Sequence, residues 1–433
     1  MNLTTLTEKI NLIFEPKKLL DLAREKKFIK RSRQINPLKF LLSLINTLGC
    51  HSKANLADIH RHYQSISGMD IKYKPFHNQI KKEQCSDFIK SCFELVMKHW
   101  VLNSLKLTTL STGDKFPFSQ IKLHDGCSFQ VHDGLQSTYP GRFKTRFPAA
   151  VELHVTMDLL SGSIDYLALA ADTAPERPHA PKATTLNDTL LLTDAGYFDR
   201  NKIVEIDEQG GYTITQALCS INPTVIVAYD FQGKVMPKVA GKKLKTLTLP
   251  NKNSTLDLTV RWPGYAFDFR VVAFWYKKKK RIGYLVTNLP RETVPALDVV
   301  ELYRLRWQIE LLFKELKSYC NLKKFSTQNE SIVSTLIYAS FITVLLKRLM
   351  AYSTEALKLL WISTQKTARA APNWLSLMTS KISQGDSIQS VLYECIEMIA
   401  KLCERSHPRW DLKDGLYQFG VVSLVGNIHV TNK

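Results

Sequence analysis

The sequence predicts an α/β protein, with a mixed sheet in the middle of the chain and helical regions before and after it. Three observations carry that prediction. At Gln120 the periodicity changes from helical spacing to short runs that alternate or are continuously apolar. Those runs come as several strands in succession, then strand, helix and strand, the order of a mixed sheet. A stretch free of Pro and Gly, Glu301–Cys320 (ELYRLRWQIELLFKELKSYC), follows them and reads as helix.

Length and charge narrow the class. At 433 residues the chain exceeds one compact core and suggests two to four domains. Its 45% hydrophobic and 23% charged residues exclude a disordered chain. A net charge of +20 points to a polyanionic partner, nucleic acid ahead of membrane lipid. The eight cysteines are scattered, with no CxxC pair and no zinc-ligand spacing, and read as reduced, mostly buried thiols. The N-terminus, MNLTTLTEKINLIFEPKK, has charges too early for a signal peptide. The longest apolar stretch, Ile332–Leu346, is interrupted by Ser, Thr and Tyr and is too short to span a bilayer. The expectation is a soluble cytoplasmic protein without a membrane partner, associated with the nucleoid when bound to DNA.

Residues 1–115 read as helical and basic, with Lys26, Lys27, Lys30, Arg31 and Arg33 clustered before the apolar segment Leu38–Leu48. Asn55–Tyr63 is a short helix, SISGMD a loop, and YKPFHNQIKK opens a second helix near Pro75. Lys, Arg, His and Asn on such a second helix suit a DNA groove, and a solvated bundle accounts for the pattern equally well. Strands are expected at Ile121–Asp125, Ser128–His132, Ala149–Met157, Ile164–Ala171 and Leu190–Asp194. A helix opens at Gly196-Tyr197-Phe198, and Thr224–Tyr229 closes the set. Residues 231–290 are Lys-rich, β-branched and broken by Gly and Pro. There LKTLTLP, LDLTVRW, FDFRVVAFWY and RIGYLVTNL read as an antiparallel β insertion, with Lys277, Lys278, Lys279, Lys280 and Arg281 at a hairpin tip. Pro290 and Pro295 mark the return. A second apolar helix, Ser331–Ala351, is expected to back the sheet, with more helices beyond it. The resulting division is 1–115, 116–230, 231–290, 291–352 and 353–433.

At 3.6 residues per turn, Tyr303, Arg306, Glu310 and Lys317 fall within about sixty degrees of one another. Beside them runs an apolar stripe of Leu302, Leu305, Ile309, Leu312, Phe313 and Leu316. Taken alone, this is an amphipathic helix with solvated i,i+4 pairs. The spacing Y-x2-R-x3-E-x6-K, however, resembles the Y-R-E-K signature of bacterial cut-and-paste transposases of the insertion-sequence-four type, and all four positions match. That resemblance implies a ribonuclease H-like fold and makes Glu310 the last of an Asp-Asp-Glu metal triad. Asp125 in KLHDGCSF resembles the family's first motif, DG(T/S)SF, with Cys127 where a hydroxyl is usual. Asp194 in LLLTDAGY resembles the second, D-x-GY. The resemblance covers about Ile121–Phe325.

The resemblance further implies two Mg²⁺ ions held by Asp125, Asp194 and Glu310, with Mn²⁺ able to substitute. It also implies transposon-end inverted-repeat DNA bound by the N-terminal region, target DNA, and a homodimer on paired ends. Hydrolysis frees a 3′-hydroxyl, which attacks the opposite strand to give a hairpin and later attacks the target. Relatives set a Trp of the insertion against a flipped base, a part for which Tyr284 and Trp275 are the candidates here. The chemistry needs these groups because attack on an anionic phosphodiester builds more negative charge. Two Mg²⁺ roughly 3.5–4 Å apart stabilise the entering and leaving oxygens together, and Mg²⁺ takes oxygen ligands. Arg306 can grip a phosphate bidentately, Lys317 offers a point charge, and Tyr303 can donate to a phosphate oxygen. Neither cation can ligate a metal, so replacing either is expected to leave metal affinity nearly intact.

Each residue also has a plainer reading. A lone strand-end Asp commonly caps a turn, which covers Asp125 and Asp194 and is the preferred reading for Asp133, Asp158, Asp172 and Asp230. His124 reads as a locally packed imidazole, and Lys277–Arg281 as a solvated tip or a contact to the DNA backbone. Two other functions share the pattern. One is a ribonuclease H-like nuclease that hydrolyses without strand transfer, needing neither an end-binding region nor the insertion. The other is a DNA-binding remnant that occupies ends without cutting.

Overall fold

A computed structural model describes residues 2–30, 35–51, 53–100, 105–107, 116–218, 220–249, 251, 254–276, 280–322, 325–406 and 421–423. Of the expected basic groups, Arg31, Arg33, Lys277, Lys278 and Lys279 lie outside the described residues. Six helices lead: α1 (Leu3–Phe14), α2 (Pro16–Glu25), α3 (Pro37–Cys50), α4 (Leu56–Ser67), α5 (Tyr73–Ile80) and α6 (Glu83–His99). Their starts are written locally. Asn2, Asn36 and Asn55 each accept an amide of the first turn, and Asn55 forms a reciprocal capping box with Asp58. The α4 helix stops at Gly68, whose left-handed backbone (φ 66°) only glycine adopts without strain.

After the short β1 (Leu105–Leu107) come β2 (Gln120–Gln130), β3 (Pro140–Phe143), β4 (Phe147–Asp158), β5 (Ile164–Ala171) and β6 (Thr189–Thr193). Next are α7 (Arg200–Glu208), β7 (Tyr212–Gln216), β8 (Thr224–Tyr229), β9 (Thr255–Arg261), β10 (Phe269–Tyr276) and β11 (Arg281–Thr287). These strands except β1 form one mixed sheet in the order β3-β4-β2-β6-β7-β11-β10-β9-β8, with β5 also paired to β4. The pairs β2–β6 and β6–β7 are parallel and the rest antiparallel. This is a ribonuclease H-like sheet with an antiparallel β insertion ahead of the Glu310 helix and helical regions at both ends.

Four expectations change. The segments around Asp125 are one strand, because β4 pairs with β2 without interruption from Lys122 opposite Asp158 to Gln130 opposite Ala150. Thr224–Tyr229 does not close the central strands. The unforeseen β7 lies beside β6, β11 pairs with β7, and β8 sits at the far edge on β9. LKTLTLP holds a 3-10 turn, Leu244–Thr246, rather than a strand. The segment after Asp194 begins with a 3-10 turn, Ala195–Tyr197, before α7 starts behind its Asp199 cap.

The chain returns from the insertion across a charged clasp. Buried Arg270 of β10 donates to Asp257 of β9 (2.7 Å) and to the carbonyls of Leu289 and Val294 (both 2.8 Å). Then follow α8 (Ala296–Arg304), α9 (Trp307–Tyr319), α10 (Glu330–Lys358), α11 (Thr364–Arg369), α12 (Ala371–Gln384) and α13 (Ile388–Cys403), and β12 (Val421–Ser423) pairs with β1. By length and composition α10 could cross a membrane, yet 94% of its most apolar window is buried inside the fold. It packs chiefly among α3, α6 and α11 and behind α9, and reaches the sheet at Arg348 against Met157 of β4 rather than backing it along its length as expected.

Candidate active site

The sheet brings the two aspartates level. Parallel pairing of β2 with β6 runs from Gln120 opposite Thr189 to Leu123 opposite Leu192. Two residues further, the same register sets Asp125 beside Asp194. Side chains two apart on a strand share a face. The aspartates therefore continue the rows Ile121–Leu123 and Leu190–Leu192, which pack in one core with Ile309, Leu312 and Leu316 of α9. Each row is apolar until β6 ends, and there it turns to carboxylate. Asp125 thus lies within a strand, at the point where its parallel neighbour stops. Its Oδ1 accepts from the Gly126 amide, and Asp194 Oδ1 accepts from the Gly196 amide, each at 2.9 Å.

The third carboxylate arrives from α9. The expected single helix is broken: α8 ends at Arg304 and α9 begins at Trp307. Between them Leu305, Arg306, Gln308 and Ile309 donate to the carbonyl three residues back, a 3-10 tightening with no Pro or Gly behind it. Arg306 sits in this turn and reaches two carboxylates at once. Its Nη1 donates to Asp125 Oδ2 at 2.8 Å and its Nη2 to Glu310 Oε1 at 2.6 Å. Tyr303 lies against the same guanidinium, 5.8 Å from ring centre to guanidinium carbon, and its hydroxyl is 3.4 Å from Gln216 Oε1 on β7. Lys317 donates to the Ser128 carbonyl of β2 at 2.9 Å. So α9 lies along β2, with Arg306, Glu310 and Lys317 turned toward the strand that carries Asp125, while Tyr303 reaches Gln216 of β7.

The electrostatics follow from burial. Desolvation pushes Asp125 up to about 7; Arg306 opposes the rise and Asp194 adds to it. Burial also works against the charge of Arg306, but Tyr303, Asp125 and Glu310 outweigh it and hold the guanidinium protonated. Burial raises the Tyr303 phenol above its ordinary range.

Other candidates separate from this group. Lys280 and Arg281 are exposed at the β10–β11 turn, about 13 Å along β11 from Leu285, the partner of Gln216. Tyr284 is buried in the insertion with its hydroxyl on the Leu244 carbonyl, so of the two aromatic candidates Trp275 is the partly exposed one. Asp133 opens an exposed 3-10 turn, while Asp158 and Asp230 accept amides of the turns that follow them. Asp172 does more than a turn residue: it accepts from Ser128 Oγ (2.5 Å) and the Arg142 amide (2.8 Å). His124 points to the other face of β2, fully buried, with Nδ1 2.8 Å from Thr156 Oγ1. Gln216 was not singled out in the sequence, since nothing local marks a glutamine at a strand end.

Among the described residues no three His, Cys, Asp or Glu side chains converge as they stand on one metal position. The geometry gives the reason: a guanidinium occupies the space between Asp125 and Glu310. The donor set nevertheless suits a hard divalent cation, being carboxylate oxygens, two of them, from Asp125 and Glu310, already gathered around one positive charge. For them to close on a metal, Arg306 has to withdraw.

Comparison with known proteins points the same way. Residues 117–346 match the family model described as the transposase DDE domain. The chain is similar to the transposase for insertion sequence element IS231F of Bacillus thuringiensis subsp. israelensis, 22% identical over 96% of this chain and 94% of the relative. It is also similar to the transposase for IS1151 of Clostridium perfringens, 20% identical over 81% of each. A cryo-EM structure of the piggyBac transposase synaptic complex with hairpin DNA aligns with 93% of this chain and 86% of that chain. Its identity is 9% and its TM-score 0.45, too low to carry weight.

Proposed function

The chain belongs to the DDE-domain transposase family, and on that premise we propose that it cuts and joins insertion-sequence ends, with Asp125, Asp194 and Glu310 holding two divalent cations, Mg²⁺ or Mn²⁺. One observation carries the reading. Asp125 of β2 and Asp194 just after β6 stand level where a parallel strand pair ends, and Asp125 and Glu310 of α9 already grip a cation, Arg306. When bound, the metal ions supply Lewis-acid stabilisation of the entering and leaving oxygens.

The protein's own groups do the rest. Released from the carboxylates, Arg306 grips a non-bridging pair of phosphate oxygens in its planar fork, and Lys317 supplies a compact charge further along β2. Tyr303 keeps the guanidinium beside the scissile phosphate. In the first step water attacks phosphorus, its oxygen stays on the 5′-phosphate, and the 3′-oxygen leaves and takes up a proton. In the second step that 3′-hydroxyl attacks another phosphodiester, giving up its proton and displacing a new 3′-oxygen. End recognition falls to the N-terminal helices, where Lys72, Lys74, Lys81 and Lys82 are exposed around α5. The basic run Lys277–Arg281 contacts DNA backbone, and two copies bring paired ends to target DNA.

The test is end-labelled inverted-repeat DNA incubated with the full chain and Mg²⁺, together with a supercoiled target. Cleavage to a 3′-hydroxyl followed by joining to the target supports the proposal. Hydrolysis without joining selects the nuclease reading, and binding without cleavage selects the remnant.

A further inference from the structure

The sheet register brings the two aspartates level, but the spacing of their side chains is left to other contacts. The β2–β6 ladder ends at Leu123 and Leu192, two residues short of them. Yet a pair of carboxylates that shares metal ions has to be held within about 0.5 Å of its working geometry. A side chain that crosses between the two strands takes over where the ladder stops. Tyr197 closes the 3-10 turn that Asp194 itself caps, so its position and that of Asp194 are set together. Its ring lies buried across the back of β2, edge-on to His124 at 4.6 Å, and its hydroxyl stands 3.1 Å from Nδ1 of His154 on β4. His154 is braced in turn by stacking on His179 at 3.9 Å.

Both chain neighbours of Asp125 border the Tyr197 side chain. His124 meets its edge, and a Cβ on Gly126 would come within 3.2 Å of the Tyr197 hydroxyl and 2.9 Å of Glu152 Oε1. The glycine after Asp125 therefore has a use inside a strand: it lets the phenol pass to β4. We infer that Tyr197 is a positioning residue, tying the Asp194 turn to β2 and β4 so that Asp125 and Asp194 stand at a metal-sharing distance. This rests on the carboxylates being metal ligands, as proposed above.

The test uses the full chain and Mn²⁺ alone as probe, with affinity read by calorimetry. Tyr197→Phe keeps the ring and removes only the hydroxyl. It is expected to weaken Mn²⁺ binding about fivefold, the equivalent of one hydrogen bond. Single-turnover cleavage falls with it, while affinity for end DNA stays at the wild-type value. Tyr197→Leu, which also loses the ring, is expected to weaken Mn²⁺ by tenfold or more, the range for groups standing behind metal ligands. Asp194→Asn serves as the reference for loss of a ligand. Wild-type Mn²⁺ affinity in Tyr197→Phe, with Asp194→Asn impaired, overturns this inference and leaves the carboxylate reading standing. Wild-type affinity in Asp194→Asn overturns both.

Discussion

Replacing Arg306 with Ala should tighten divalent-metal binding while abolishing activity. Sequence alone suggests that metal affinity survives the change, because a guanidinium cannot ligate Mg²⁺. The structure alters that expectation by placing the guanidinium between Asp125 and Glu310. A hydrogen bond to a charged group contributes about 1.5–3 kcal/mol, and Arg306 makes two with a side chain only 16% exposed. Glu310 is 32% exposed, so solvent screening reduces the total to roughly 2 kcal/mol that an incoming cation has to replace. That corresponds to about thirtyfold in affinity. One effect opposes it. Without Arg306, Asp125 rises further from its value of about 7, and a proton competes with the metal. At pH 8.5 that competition is reduced, leaving a gain on the order of tenfold. Calorimetry with Mn²⁺ at pH 8.5 measures it directly. In the wild type, end DNA should itself strengthen Mn²⁺ binding by drawing Arg306 onto phosphate, and this coupling should vanish in Arg306→Ala. Unchanged or weaker Mn²⁺ affinity in the variant at pH 8.5 would refute the reasoning.

Two further outcomes are expected. Each phosphate neutralised contributes about −0.9 to the slope of log affinity against log salt, so replacing Lys277–Lys280 and Arg281 together should flatten that slope for end DNA; an unchanged slope makes the turn a solvated surface. Burial, aided by His51, lowers His62 from 6.5 to about 4, so the folded state favours its neutral form. The stability this contributes is complete above about pH 6.5 and is lost as pH falls toward 4. Allowing for partial exposure, the loss is about 1–2 kcal/mol, and His62→Gln should flatten denaturant midpoints across that window.

The parts legible in the sequence were those in which side-chain type and local spacing coincide. Ile164–Ala171 was found residue for residue because its run is bounded by turn signals on both sides. Asp125, Asp194 and Glu310 stood out as carboxylates in recognisable surroundings. What escaped depends on pairing across long separations. In β7 only Ile214 is an apolar core residue; its neighbours Thr213 and Thr215 are polar by type, yet buried and bonded to the Leu191 carbonyl and the Thr193 hydroxyl. Nothing local sets that run above the more apolar Thr224–Tyr229. Its neighbour β11 lies some seventy residues downstream, pairing Leu285 with Gln216. Helical spacing likewise placed Arg306 and Glu310 on one stripe, but it does not say that Arg306 spans to Asp125 or that the helix tightens there. Those follow from the charge that the sheet sets opposite.

The central claim is that Asp125, Asp194 and Glu310 carry the chemistry, and single-turnover cleavage of end DNA with Mg²⁺ tests it most directly. Each alanine variant should lose more than about a thousandfold in rate, as expected when a group acting in the chemical step is removed. Binding to ends should persist, and Asp133→Ala, at its exposed turn, should cleave like the wild type. Wild-type cleavage by any one of the three variants would contradict the account.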